Sequence, residues 1–282
     1  MSDEERASAL RAGLSDSDDW SNRAVVVTGA SGGTGKEIVG ALLEVGAKVV
    51  LSDIDSDELA AAAKGLQVSS EHLAIFLADI GEESHVHALN EHALERFGKL
   101  YGWVNNAGTV DLSPALQTTR ASFVGQLSTN VVALFQCCQA AARAIGTGGA
   151  IVNVASNAGK VGLPDMVGYN ASKAAVINLT RNLAEEWATC GINVNAVCPG
   201  SVSTPMLRRV AEYLAGKNNL DTDEVLARFI SHQVGRAIEP LEVGRGRSRS
   251  VEVGRVIVFL LSNAAKKFRG QAINVDAGDT PY

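Results

Sequence analysis

Short apolar runs alternate along this chain with longer stretches whose apolar residues recur at spacings of three and four. Residues 24–28, 48–52, 73–78, 100–105, 150–155, 192–197 and 272–275 are mostly aliphatic or β-branched and lack strict alternation. Strands of that kind are buried on both faces, as happens where helices cover both sides of a parallel sheet. Between them, residues 36–45, 82–97, 121–145 and 171–190 carry the spacing of amphipathic helices. Strand, helix, strand over most of the length predicts one α/β domain over 21–282. It is a doubly wound Rossmann sheet of about seven parallel strands, with helices on both faces and right-handed crossovers. Residues 206–236 break the rhythm as a helical insertion between two strands. Excursions beyond the carboxyl ends of such a sheet wall its ligand crevice, so this segment reads as a substrate lid. The alternative is a helical pair packed away from the substrate.

Composition narrows the function classes. At 282 residues the chain has length for one large α/β domain or two small ones, so the pattern rather than the length decides. Hydrophobic residues make up 46% and charged residues 20%, a balance typical of soluble globular chains. A formal net charge of -6 argues against a nucleic-acid partner, because neutralising phosphates needs a basic face. No apolar run approaches the roughly 18 residues that a bilayer crossing needs, so no membrane partner is expected. Residues 1–20 are acidic and polar, unlike a secretory signal or a transit peptide, and read as a flexible extension. Cys137, Cys138, Cys190 and Cys198 show no C-x-x-C spacing and are expected to be reduced core thiols, which points to the cytoplasm. The tetrapeptide Glu-Val-Gly-Arg stands at 242–245 and again at 252–255. Arg245, Arg247 and Arg249 could hold an anion there, but a solvated loop is the expected form.

The first strand runs into Thr28-Gly29-Ala30-Ser31-Gly32-Gly33-Thr34-Gly35, and a helix follows at once. Glycines so placed allow a sharp turn, a close backbone approach to a pyrophosphate and tight helix–sheet packing. The helix N-terminus then offers N–H groups and a positive dipole end to the phosphates. The second strand ends at Asp53, 18 residues past Gly35. A carboxylate there accepts both hydroxyls of an adenosine ribose and repels a 2′-phosphate. The next residue is Ile54, not an arginine that would welcome that phosphate, so NAD is favoured over NADP. Asp53 could also serve the helix start marked by Asp55, Ser56 and Glu58.

Tyr169-Asn-Ala-Ser172-Lys173 opens a helical stretch, and residues four apart share a helix face. A cation beside a phenol favours the phenolate, which would bring Tyr169 down toward a useful acid/base range. Alone the pattern is common. Together with Thr28, Gly29, Gly33 and Gly35, with Asn105-Asn106-Ala107-Gly108 after the fourth strand, and with Asn130, Ser156 and Pro199-Gly200 in order, it resembles the short-chain dehydrogenase/reductase family. The resemblance runs from about Ala24 to Gly278. Thr34 and Ala155 depart from commoner residues of that pattern, and the 242–255 repeat lengthens a loop.

What the resemblance implies is specific. Tyr169 would be the acid/base, and Lys173 would lower its pKa and bind the nicotinamide ribose. Ser156 would hold the substrate oxygen, as preorganised donors do. Asn130 would anchor a water linking Lys173 to solvent. The cofactor contacts would be Gly29, Ser31, Gly32, Gly33, Thr34, Gly35, Asp53, Ile54, Asp79, Ile80, Asn106, Ala107, Gly108, Pro199, Gly200, Val202 and Thr204, besides Tyr169 and Lys173. Asp79 would meet adenine, and Val202 and Thr204 the carboxamide. A homotetramer is implied as well, its contacts on the apolar faces of 121–145 and 171–190.

His85, His87 and His92 share one helical stretch that should flank the sheet, so they read as surface residues and no metal is expected. The resulting expectation is an NAD(H)-dependent oxidoreductase of a small secondary alcohol or its ketone. Asn157, Lys160 and Asp165 near Ser156 suggest a polar substrate such as a polyol, sugar or hydroxy acid. The alternatives are an NADPH-dependent reductase of 3-oxoacyl thioesters and a nucleotide-sensing scaffold without turnover.

Overall fold

The computed structural model describes residues 19–234 and 250–280. The strands are β1 (Ala24–Thr28), β2 (Lys48–Asp53), β3 (Leu73–Leu77), β4 (Gly102–Asn105), β5 (Ala150–Val154), β6 (Asn193–Pro199) and β7 (Ala272–Val275). They pair in parallel in the order β3-β2-β1-β4-β5-β6-β7, in one sheet. The order reverses between β1 and β4, so a crevice opens there beyond the carboxyl ends of the strands. All seven predicted strands are present, displaced at their ends by a residue or two.

Successive strand residues serve opposite layers. Val25, Val27, Val49 and Leu51 pack with Ile38, Leu42, Ile257 and Leu261 of α1 (Gly33–Glu44) and α9 (Ser250–Leu261). Val26, Val50 and Trp103 pack on the other face with Leu89, Leu134, Cys137 and Val176. Those come from α3 (Glu83–Phe97), α5 (Leu134–Ile145) and α6 (Val167–Glu186). Each such large aliphatic side chain contributes about 1.5–3 kcal/mol when fully buried, and this is why the central strands read as unbroken apolar runs. The remaining helices are α2 (Ser56–Leu66), α4 (Arg120–Leu127), α7 (Pro205–Asn218) and α8 (Thr222–Val234).

Under the crevice the core is polar. Trp103 Nε1 donates to Asn105 Oδ1 at 2.8 Å, and Asn105 Nδ2 donates to Asn153 Oδ1 at 2.9 Å. Asn153 Nδ2 donates to Thr180 Oγ1 at 2.9 Å, whose hydroxyl donates to the Val176 carbonyl at 2.8 Å. Fully satisfied buried polar groups specify one arrangement of the elements they join, here β4, β5 and α6.

Three sequence expectations change. The stretch 121–145 is helical throughout but widens into a π turn at Ser128–Ala133 between α4 and α5, where the Asn130 side chain turns inward to bond a neighbouring loop. Residues 252–255, expected in a solvated loop, lie in α9, which packs along α1; residues 242–245, Arg247 and Arg249 fall outside the described residues. So do residues 1–18 of the acidic extension. Cys137, Cys138 and Cys198 are buried free thiols, whereas Cys190 is exposed. No helix among the described residues is long and apolar enough to cross a membrane.

Candidate active site

The glycine loop after β1 is shaped by backbone contact. Gly29 has φ +62°, and a Cβ there would stand 2.7 Å from Ala107 Cα. At Gly35 a Cβ would lie 2.1 Å from the Gly29 carbonyl oxygen, so only glycine fits where α1 crosses the loop. Asn106 fastens the end of β4 to this loop: its Nδ2 donates to the Gly29 and Thr28 carbonyls at 2.8 and 3.2 Å. The Thr28 hydroxyl in turn accepts from the Asn106 and Ala107 N–H groups. Thr204 closes the loop from the far side, its methyl against Gly33. It also caps α7 through the Leu207 N–H and donates to the Val202 carbonyl.

Asp53 is held at the rim. Its Oδ2 accepts from the Ser31 N–H at 2.9 Å and the Ser31 hydroxyl at 2.5 Å, and its Oδ1 from the Ile54 N–H at 2.8 Å. The cap of α2 is Asp55, which accepts from the Asp57 and Glu58 N–H groups, so Asp53 has no capping duty. Asp55, Asp57 and Glu58 follow it in sequence, and Lys36 is paired with Glu58. At the end of β3, Asp79 Oδ1 accepts from the Gly81 N–H while His85 Nδ1 accepts from the Asp79 N–H. His87 pairs with Glu91 and His92 stacks on Phe76. Among the described residues no group of three histidines, cysteines or carboxylates is placed to hold a metal.

Ser156, Tyr169 and Lys173 come together at the floor of the crevice. The Tyr169 phenol stands beside the Ser156 side chain, which favours the phenolate. Lys173 is buried, its Nζ 5.6 Å from the Tyr169 ring centroid and donating to the Val154 carbonyl at 2.9 Å. Burial lowers the Lys173 ammonium to about 8. Burial also raises the Tyr169 phenol above its ordinary value, and the Ser156 side chain pulls the other way. The expected lowering of Tyr169 by Lys173 is therefore not what the arrangement shows. Burial is the larger cause at Tyr169, and the lysine donates instead to the carbonyl at the end of β5.

Asn130 stands behind the crevice and does not line it. Its Oδ1 accepts from the Thr109 N–H at 2.8 Å, and its Nδ2 donates to the Thr109 carbonyl and the Ser172 hydroxyl, both at 2.9 Å. A Cβ on Gly108 would sit 3.1 Å from Asn130 Oδ1 and 3.5 Å from Lys173 Nζ. Asn130 and Lys173 thus flank the same glycine.

All the other sequence-predicted residues, from Gly29 to Thr204, line one continuous cleft of about 1090 Å³ with Ser156, Tyr169 and Lys173. The cleft has volume for a dinucleotide and a small substrate together, and the glycine cradle suits a pyrophosphate. Within the predicted 206–236 insertion, whose last two residues lie outside the described ones, Met206, Leu207, Val210, Leu214 and Phe229 of α7 and α8 line its outer wall. The two helices pack on each other through Ala211, Ala215 and Val225. Leu163, Pro164 and Met166 line the cleft opposite.

This wall is more apolar than the residues near Ser156 suggested. Lys160 Nζ turns away and donates to the Ala272 carbonyl at 2.7 Å. Asp165, at φ +62°, pairs with Lys217 of α7 and hydrogen-bonds Tyr213. Only Asn157 of the three lines the cleft, and its Nδ2 donates to Asp279 Oδ2 at 3.2 Å. The sequence carried no motif for Asp279 or for the Asp165–Lys217 tie. Amphipathic spacing over 206–236 was the sole signal for the apolar wall.

The short chain dehydrogenase family pattern matches residues 23–214. The 2,5-dichloro-2,5-cyclohexadiene-1,4-diol dehydrogenase of Sphingobium indicum is 35% identical over 270 residues, spanning 93% of this chain and 98% of the relative. Sorbitol dehydrogenase of Cereibacter sphaeroides is 32% identical over 260 residues, 91% of this chain and 97% of its own. Among solved structures, levodione reductase has a TM-score of 0.82 at 30% identity, with coverage of 92% and 98%. A variant of actinorhodin polyketide ketoreductase with NADPH has a TM-score of 0.83 at 30% identity, with coverage of 92% and 98%. Similarity of this extent joins sequence and fold along nearly the whole length: the chain belongs to the short-chain dehydrogenase/reductase family and is an alcohol dehydrogenase or ketoreductase.

Proposed function

We propose that the chain is an NAD(H)-dependent oxidoreductase that interconverts a secondary alcohol and its ketone by acid/base catalysis at Tyr169. The observation that carries this reading is the meeting of Tyr169, Ser156 and Lys173 in one cleft that also holds a glycine cradle. When bound, the nicotinamide supplies or accepts the hydride. Ser156 holds the substrate oxygen. Tyr169 gives that oxygen a proton in reduction and takes one in oxidation. Lys173, charged below about pH 8, stands beside the Tyr169 ring and would hold the nicotinamide ribose. Asn130 holds Thr109 and Ser172 in place and orders a water through which the Tyr169 proton is replaced.

The preference for NAD rests on Asp53, oriented by Ser31, since a 2′-phosphate would meet negative charge there. The second reading, an NADPH-dependent reductase of 3-oxoacyl thioesters, draws on the likeness to the ketoreductase solved with NADPH. A scaffold without turnover is disfavoured, for it has no use for a buried lysine beside a tyrosine and a serine. Exposed Val124, Val132 and Val167 on α4, the π turn and α6 support a homotetramer, and the free cysteines fit a reducing compartment such as the cytoplasm.

The test compares initial rates with NADH and NADPH on a panel of ketones, beside the Tyr169→Phe variant. NADH is expected to be preferred. The variant should lose at least about 1000-fold in kcat, within the usual range for a general acid, while still binding NADH. Turnover that survives the substitution would overturn the mechanism.

A further inference from the structure

One polar feature of the cleft is not used by proton transfer or by the cofactor cradle. Asn157 follows Ser156 directly, and the Ser156 hydroxyl donates to Asn157 Oδ1 at 3.4 Å. Asn157 Nδ2 donates to Asp279 Oδ2 at 3.2 Å, and all three side chains line the cleft. Asp279 comes from a turn after β7, far away in sequence, that is built with care. The buried Asp276 carboxylate accepts from the Gly278 N–H at 3.1 Å and the Thr280 N–H at 2.9 Å. The Asp279 N–H donates to the Asp276 carbonyl at 3.1 Å, and Asn274 Nδ2 to the Thr280 carbonyl at 3.2 Å. Ala277 is held at φ +54°, a left-handed conformation that a non-glycine residue adopts only under surrounding constraint. The turn is thus over-determined, and its effect is to place a carboxylate beside the amide next to Ser156.

We propose that Asn157 and Asp279 form a second substrate subsite that binds a hydroxyl on the carbon next to the reacting carbinol, so that the enzyme acts on a vicinal diol, or the matching hydroxyketone, with an apolar carbon frame. The proposal rests on the roles given to Ser156 and Tyr169 above. A hydroxyl both donates and accepts, and an amide beside a carboxylate offers both complements. Oxygens on neighbouring carbons are about as far apart as hydrogen-bonded atoms, which matches the step from Ser156 to its neighbouring amide. The same carboxylate repels an anionic substituent, which sets hydroxy acids aside. Leu163, Met166, Leu214 and Phe229 meet the remaining carbons.

Two probe pairs test it, cyclohexanol against each stereoisomer of 1,2-cyclohexanediol, and 2-butanol against 2,3-butanediol, with NAD⁺ as oxidant. For the wild type, kcat/KM for the preferred diol isomer should exceed that for its monohydric partner by about tenfold or more, most of it in KM. Asp279→Asn should shrink that ratio at least fivefold. Asn157→Ala supplies a second, independent measurement of the same ratio. Because the ratio is taken within one preparation, a partly unfolded sample does not mimic the effect. A wild type that oxidises the monohydric alcohols with a ratio near one, or variants whose ratio stays at the wild-type value, would overturn the subsite and leave the catalytic reading standing. A wild type that oxidises none of the probes, with either nicotinamide cofactor, would overturn both.

Discussion

The two ends of the cleft are built from different materials. At the cofactor end, backbone meets backbone: the Gly35 position against the Gly29 carbonyl, Asn106 clamping two carbonyls, Ser31 holding Asp53. At the substrate end, side chains from α7, α8 and the loop before α6 meet each other, joined by the ion pair of Asp165 and Lys217. Close backbone contact admits few residue types, so it leaves motifs in the sequence. Side-chain walls admit many solutions of similar energy, so they leave little more than a helical period. The first end tolerates few substitutions, and the second tolerates many.

Ser156 lies where the two ends meet, and after that of Tyr169 its removal should have the largest effect. Ser156→Ala is expected to cut kcat by about 100–1000-fold, the usual cost of losing one preorganised donor at a developing oxyanion. It also removes the hydroxyl that favours the Tyr169 phenolate and leaves burial unopposed. The phenol pKa then rises further, so the limb of alcohol oxidation that needs the phenolate should move to higher pH. A pH–rate profile with that limb unmoved would separate the two residues.

Gly35→Ala probes the rigid end. With no room for the methyl, NADH affinity should fall about 100-fold, equivalent to about 3 kcal/mol of overpacking, by fluorescence titration. If binding were intact, the claim that backbone contact dictates this end would fail. Asp53→Asn removes one charge and keeps the shape. The ratio of kcat/KM for NADH over NADPH should drop about tenfold, roughly 1.4 kcal/mol. At the soft end, Lys217→Met should raise the substrate KM only about two- to fivefold, because the pair opens to solvent on its Lys217 side, where such a contact contributes roughly 1 kcal/mol. A loss as large as that at Gly35 would show the outer wall to be as exacting as the cradle.

Legibility in the sequence followed the same division. Burial on both faces made β1, β4, β5 and β6 plain, and the glycine spacing placed the cradle. Lys160 and Asp165 were misread because nearness to Ser156 along the chain says nothing of direction: one bonds β7 and the other α7. The Tyr169–Lys173 spacing foretold proximity but not desolvation, which reverses the shift of the phenol. The π turn around Asn130 is set by bonds to Thr109 and Ser172, neither a helix neighbour, and left no mark in the period. Asp279 was out of reach of any local reading, since it meets Asn157 only after the whole sheet has formed.

The row of amides beneath the site also constrains how such a chain can change. Exchange of Asn105 or Asn153 alone strands its partner without water, a cost of about 1–3 kcal/mol for each orphaned group, whereas matched apolar replacement of a pair is nearly neutral. Descendants of this interior are therefore reached by coordinated double steps. The floor under the chemistry drifts slowly, while the outer wall is free to explore new substrates one residue at a time.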